Sequence, residues 1–218
     1  MSIPHHPDAA GFVLAGGESS RMGSDKALLP FAGEPLIVRA LRTLHAAGLP
    51  ASIAGARSSL AQFASVVDDP EPGLGPLAGI CAALASTSAR FSVFLPVDLP
   101  LLPPSLLIYL LHHAEITGSA ITVPSVSGFT QTFPAILDRT VLPVLKRELD
   151  SRRGGCFSAF QAAVAQLGQP VSSLPVEFLA QAGHISHPLG TPPFRWFLNL
   201  NRPADLAQAE ELATRRIA

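Results

Sequence analysis

Short apolar runs rich in β-branched and aromatic residues alternate along this chain with longer stretches whose apolar residues recur at helical spacing, and this alternation constrains the fold most. "GFVLAG", from Gly11 to Gly16, reads as a first strand. Leu36, Ile37, Ala40, Leu41 and Leu44 then recur at near-helical intervals up to Gly48, which predicts a helix over Pro35–Ala47 with Pro35 near its first turn. Ala51–Ala54 reads as a weak strand, Pro76–Ala85 as a helix entered through "GLG", Ser92–Val97 as a buried central strand ending at Asp98, and Pro104–Ala114 as another helix. "SAITVP" and "QTFPAIL" read as strands, the second at an edge or bulged because Pro134 falls inside it. Helices are predicted over Arg139–Leu149 and Cys156–Leu167, then a long loop over Pro175–Arg195, a strand at "FRWFLNLN" and a closing helix over Pro203–Arg216. Repeated βα units of this kind build an α/β domain around a mostly parallel sheet.

The chain has 218 residues, enough for one sizeable core, and nothing in its composition divides it, so residues 1–218 are expected to form a single domain. A formal net charge of -1 and a charged fraction of 14% give no basic excess, which argues against nucleic acid and membrane surfaces as partners. An anionic ligand must therefore be met locally. Cys81 and Cys156 stand apart without CxxC spacing, as buried free thiols of a reducing cytoplasm would. "FSVFLPVDLPLLPPSLLIYLL" is apolar enough to suggest a membrane span, but its four prolines and an aspartate make it a strand, a turn and a helix. The N-terminus offers only Phe12–Ala15 as an apolar run, too short for a signal peptide, and the protein is expected in the cytoplasm. The histidines, with His5, His6, His184 and His187 as examples, read as surface residues.

The first strand runs into the chemically richest stretch, "LAGGESSRMGSDK". In a parallel sheet the loop at a strand's carboxyl end opens on the crevice where ligands bind. Gly16 and Gly17 let backbone N–H groups approach an oxyanion, Ser19 and Ser20 add hydroxyl donors, and Arg21 and Lys26 bring fixed positive charge. Such a loop suits a polyphosphate, yet it is neither GxxxxGK[ST] nor GxGxxG. Asp98, at the carboxyl end of the most apolar strand, is a natural oxygen ligand for a phosphate-bound Mg²⁺ in the same crevice. Asp68 and Asp69 read equally well as an acidic loop before a helix N-terminus. Asn199 and Asn201 alternate on their expected strand, so both would face one side toward an acceptor.

"LAGGESSRMGSDKALLPFAGEPL" resembles the N-terminal signature LAGGxSxRMGxDKxLxxxxGxPL of the nucleotidyltransferases, in particular the molybdenum cofactor guanylyltransferases. "GPLAGI", "PVDLP" and "FLNLNRPADL" are similar to further stretches of that family, in the same order. The resemblance implies a Rossmann-like, doubly wound sheet with helices on both faces. It implies that Leu14, Ala15 and Gly16 meet the base, Gly17 and Lys26 the phosphates, Asp69 the nucleoside and Asp98 the Mg²⁺, with Lys26, Arg21 and Asp98 catalytic and Asn199 and Asn201 on the acceptor side. The implied reaction transfers GMP from GTP to the phosphate of molybdopterin and releases pyrophosphate, with other proteins of the same cofactor pathway as possible partners. A cytidylyltransferase for the same cofactor, a sugar-phosphate nucleotidyltransferase and a non-catalytic nucleotide-binding accessory protein are the alternatives. The chain departs from the guanylyltransferase pattern after the second strand, where Ala54-Gly55-Ala56-Arg57 stands in place of Asn-x-Asn-Arg.

Overall fold

The structure is a computed structural model that describes residues 6–15, 25–55, 58–69, 74–152 and 154–214. The strands are β1 (Ala9–Leu14), β2 (Pro30–Phe31), β3 (Glu34–Pro35), β4 (Ala51–Ala54), β5 (Val66–Val67), β6 (Phe91–Pro96), β7 (Ile121–Val126), β8 (Phe129–Thr130), β9 (Ala135–Asp138) and β10 (Ser172–Pro175). The helices are α1 (Leu36–Ala46), α2 (Pro76–Ser86), α3 (Pro104–Thr117), α4 (Leu142–Ser151), α5 (Cys156–Gln166), α6 (Val176–Gln181), α7 (Pro193–Trp196) and α8 (Pro203–Thr214). The main sheet runs β10-β7-β9-β6-β1-β4-β5, with β8 added to β7. β6, β1, β4 and β5 are parallel neighbours, as are β7 and β10, whereas β9 is antiparallel to both β6 and β7.

Alternation along the strands sorts the core onto two faces. Val13, Val93, Leu95 and Ile136 pack with α1, α3, α6 and α8, while Phe12, Leu14, Phe94, Ala135 and Leu137 pack with α2, α4 and α5. Helices therefore cover both faces of a mostly parallel sheet, the doubly wound arrangement. α1 shows how sequence dictates one layer: Leu36, Ile37, Ala40, Leu41 and Leu44 make a single buried stripe. Gly11 on β1 lets that stripe come close, since a Cβ there would lie 3.1 Å from a Leu44 methyl carbon.

Three expectations are corrected. Pro134 does not interrupt a strand, because β9 begins one residue later and lies inside the sheet between β7 and β6. Pro175–Arg195 is not one long loop: Pro175 ends β10, and both α6 and most of α7 fall within it. "FRWFLNLN" is not a strand, because Pro193 starts the short helix α7 and the indole N–H of Trp196 donates to the Thr191 carbonyl at 2.6 Å, leaving 197–202 irregular.

The thiols are free, with Cys81 buried and Cys156 half-buried, and burial pushes each up to about 11. His187 is not a surface residue. Its ring stacks on Trp196 with centroids 6.0 Å apart, its Nδ1 accepts from the Leu189 N–H at 3.1 Å, and burial lowers its pKa. His6 is also largely covered and pairs with Glu115 at 3.1 Å, whereas His184 is exposed and His5 lies outside the described residues. No helix among the described residues is long and apolar enough to cross a membrane.

Candidate active site

The carboxyl ends of β5, β4, β1 and β6 open on one edge of the sheet, and because β9 is antiparallel its entry segment, Gln131–Phe133, lies at that same edge. A cavity of about 490 Å³ runs along this edge. Asp69 and Gly55 line it beyond β5 and β4, Leu14 and Ala15 at the end of β1, Asp98 beyond β6, and Gln131–Phe133 before β9. Lys26, Phe197 and Asn199 complete one wall, and Gly75, Pro76 and Gly79 bring the start of α2 to the other. Gly75 takes φ +76 there, a left-handed value that favours glycine, and Pro76 follows as the first helical residue.

Each polar group at the centre has a local cause. Asp25 caps the short 3₁₀ turn Lys26–Leu28 by accepting from the Ala27 N–H at 3.1 Å, which fixes the base of the Lys26 side chain. Asp98 follows β6, and its carbonyl accepts from the Leu200 N–H at 3.1 Å, tying the C-terminal segment to the sheet edge. Asp205, in the first turn of α8, accepts from the N–H groups of Asn201 and Arg202 at 2.9 and 2.8 Å, the reach-back of a capping box. The sequence "NRPADL" thus caps a helix and positions Asn201 with the same residues.

These supports bring three side chains together. The Lys26 ammonium donates to Asp98 Oδ2 at 2.7 Å and to Asn201 Oδ1 at 2.8 Å, and Lys26 and Asp98 are 19% and 20% exposed. Two oxygen ligands from distant parts of the chain therefore converge on one positive charge. Asn199 and Asn201 do reach the site, though from an irregular segment and not from the strand expected of them. Gly16, Gly17 and Arg21 lie outside the described residues. Leu14, Ala15, Lys26, Asp69 and Asp98 all border the cavity. Sequence reading did not single out Gly75, Gly79, Thr132 or Phe197 as site residues, although "GLGPLAGI" held the signal for the first two: a glycine turn feeding a helix at a sheet edge.

A crevice across the carboxyl ends of parallel strands, with a lysine and a carboxylate meeting in it and a glycine-rich sequence following β1, suits a phosphorylated ligand. The family model for the MobA-like NTP transferase domain matches residues 11–170, and the chain belongs to that family. A molybdenum cofactor guanylyltransferase from Rhodobacter capsulatus is 32% identical over 93% of this chain and 95% of its own. Among solved structures, molybdopterin-guanine dinucleotide biosynthesis protein A from Archaeoglobus fulgidus superposes with a TM-score of 0.74 at 23% identity, covering 94% of this chain and 98% of that one. Rv0371c from Mycobacterium tuberculosis, solved in complex with manganese, superposes with a TM-score of 0.64 at 21% identity over 94% and 98% of the two chains.

Proposed function

We infer that this enzyme transfers GMP from GTP to the phosphate of molybdopterin. The observation that carries this reading is the convergence of Lys26, Asp98 and Asn201 in the crevice, on a chain similar over nearly its whole length to a guanylyltransferase of that cofactor. An acceptor phosphate oxygen attacks the α-phosphorus of GTP. A new phosphoanhydride P–O bond forms, the α–β bridging P–O bond breaks, and pyrophosphate leaves with the bonding electron pair.

The protein's part is placement and charge neutralisation. The base rests against Leu14, Ala15 and Gly16, with Asp69 at the nucleoside. Gly17, Arg21 and Lys26 hold the phosphates, and Asn199 and Asn201 meet the acceptor. Leu14, Ala15, Lys26, Asp69, Asp98 and Asn199 all border the cavity, which supports this division of roles.

Asp98 and Asn201 fit a hard divalent cation: both present oxygen, and both already hold a cation in the form of the Lys26 ammonium. One carboxylate suits Mg²⁺, which takes much of its coordination from substrate phosphate and water. Bound there, it supplies Lewis-acid neutralisation of phosphate charge. The manganese complex of the mycobacterial neighbour is in line with a divalent ion of this kind. A cytoplasmic location accords with free thiols and with nucleotide substrates.

The test is incubation of the purified protein with molybdopterin, Mg²⁺ and each of GTP, CTP, ATP and UTP in turn, measuring pyrophosphate and the dinucleotide product. GTP should give both. Turnover with CTP alone would assign the cytidylyltransferase reading. Binding without pyrophosphate release from any of the four would assign the accessory-protein reading.

A further inference from the structure

The oxygens best suited to a metal in this crevice are already engaged by a cation of the protein's own. Lys26 Nζ lies 2.7 Å from Asp98 Oδ2 and 2.8 Å from Asn201 Oδ1. A small divalent ion takes such oxygens at roughly 2.0–2.1 Å, so it and the ammonium would compete for one space. Two cations a few ångströms apart also repel, strongly so in a partly buried site. We propose that Lys26 is a placeholder for the metal: its ammonium covers Asp98 and Asn201 in the nucleotide-free protein and swings to the phosphates of the incoming nucleotide when the divalent cation takes those oxygens. The proposal rests on the assignment of Asp98 as the metal ligand.

The supports around the three residues suit such an exchange. Asp98 is anchored through its carbonyl to Leu200, Asn201 through its N–H to Asp205, and the backbone of Lys26 through the turn capped by Asp25. The three backbones are therefore held, the short side chains of Asp98 and Asn201 keep their oxygens close to them, and the part with most freedom is the four-carbon stem of Lys26, whose three ammonium donors can exchange partners without moving the backbone. A metal arriving alone must displace the ammonium with no phosphate to receive it. A metal arriving with a nucleoside triphosphate brings an anionic destination for Lys26 with it. Metal and nucleotide consequently reinforce each other's binding through one side chain, and the coupling is reciprocal. The nucleotide-free enzyme is correspondingly guarded against holding a metal unproductively.

The test titrates Mn²⁺ into nucleotide-free protein and follows the free ion by electron paramagnetic resonance in wild type, Lys26→Met, Lys26→Gln and Asp98→Asn. Reductive methylation of Lys26, read by mass spectrometry, is measured on the wild type with and without saturating Mn²⁺. Both Lys26 variants should bind Mn²⁺ about tenfold more tightly than wild type, as removal of an adjacent positive charge requires. Asp98→Asn should lose the site, and Mn²⁺ should speed methylation of Lys26 in the wild type. Unchanged or weaker Mn²⁺ binding in both Lys26 variants overturns the placeholder and leaves the metal assignment standing, as does methylation indifferent to Mn²⁺ bound in an Asp98-dependent way. Mn²⁺ binding that survives Asp98→Asn, or that is missing from wild type and both Lys26 variants, overturns the metal assignment and the placeholder together.

Discussion

Lys26 and Asp98 are 72 positions apart in sequence and 2.7 Å apart in space, joined by an ammonium–carboxylate hydrogen bond at the carboxyl edge of the sheet. Lys26 is placed by the turn that Asp25 caps, and Asp98 by the end of β6 together with the hydrogen bond that its carbonyl accepts from the Leu200 N–H. In the proposed reaction the lysine tracks charge that develops between the α-phosphate and the leaving pyrophosphate, so it acts more on the transition state than on binding. Lys26→Ala should lower turnover by about 10²-fold, the scale of one lost charge-stabilising donor, with a smaller change in nucleotide affinity. Steady-state kinetics beside direct nucleotide titration separates the two, and wild-type turnover in the variant would remove Lys26 from the chemistry.

Asp98→Asn keeps the size of the side chain and one oxygen but removes the negative charge that offsets a divalent ion. Its rate should recover only at much higher Mg²⁺ than wild type needs. A Mg²⁺ dependence of the rate that matches wild type would leave Asp98 as a partner of Lys26 only.

Nucleobase choice is tested at β4. Ala54 and Gly55 border the cavity and offer no side-chain amide, and in the proposed reading guanine is met by backbone groups near Leu14–Gly16. Backbone groups separate guanine from adenine because the two bases present opposite hydrogen-bonding groups at the six-position. GTP should be preferred by a modest margin, and Ala54→Asn should widen it by about 0.5–1.5 kcal/mol, one well-made buried hydrogen bond. Competition among GTP, CTP and ATP on both proteins measures the margin, and a margin unmoved by the asparagine would place the base elsewhere.

Stability at acid pH has an identifiable carboxylate. Asp138 is buried at the end of β9, where burial alone would raise its pKa, but the Thr140 N–H and hydroxyl at 2.9 and 2.8 Å and Arg90 Nε at 2.8 Å reverse the direction and hold it below the usual carboxylate value. A folded-state pKa lower than the unfolded one stabilises the protein above the unfolded value, about 3.9, and the contribution is lost as pH falls through the folded value. Asp138→Ala should cost about 0.5–1.5 kcal/mol at neutral pH, because it removes the hydrogen bonds from Thr140 and Arg90, and the difference from wild type should shrink below about pH 4. Urea unfolding at several pH values checks both parts, and a pH-independent difference would assign the loss to packing.

The sheet and most helices were legible because their signals are local and repeated. The apolar stripe of α1 and the largely apolar run of β6 put those elements within a residue or two of their expected bounds. The C-terminal third was harder to read for physical reasons. α6 is six residues long, too short for a helical period to show, and it directly follows Pro175. The aromatic richness of "FRWFLNLN" imitates a strand, while the turn that prevents one is closed by the hydrogen bond from the Trp196 indole to the Thr191 carbonyl, which hydrophobic pattern does not reveal. Pro134 marks the entrance to β9, a position that depends on the partner strands β6 and β7 and is invisible in a single segment. At the site, Lys26 and Asp98 were recognisable from residue type and strand end. Asn201 was recognisable as a site residue but not its support, because the Asp205 cap that fixes it shows only once α8 is in place.

The central claim, attack on the α-phosphorus with pyrophosphate leaving, is tested most directly by label position. The purified enzyme is given molybdopterin, Mg²⁺ and GTP carrying ³²P at either the α- or the γ-phosphate, and the products are separated. The expected result is α-label in the molybdopterin dinucleotide and γ-label in pyrophosphate, in equal amounts. Release of γ-label as orthophosphate, or α-label that never joins the acceptor, would contradict nucleotidyl transfer by this site.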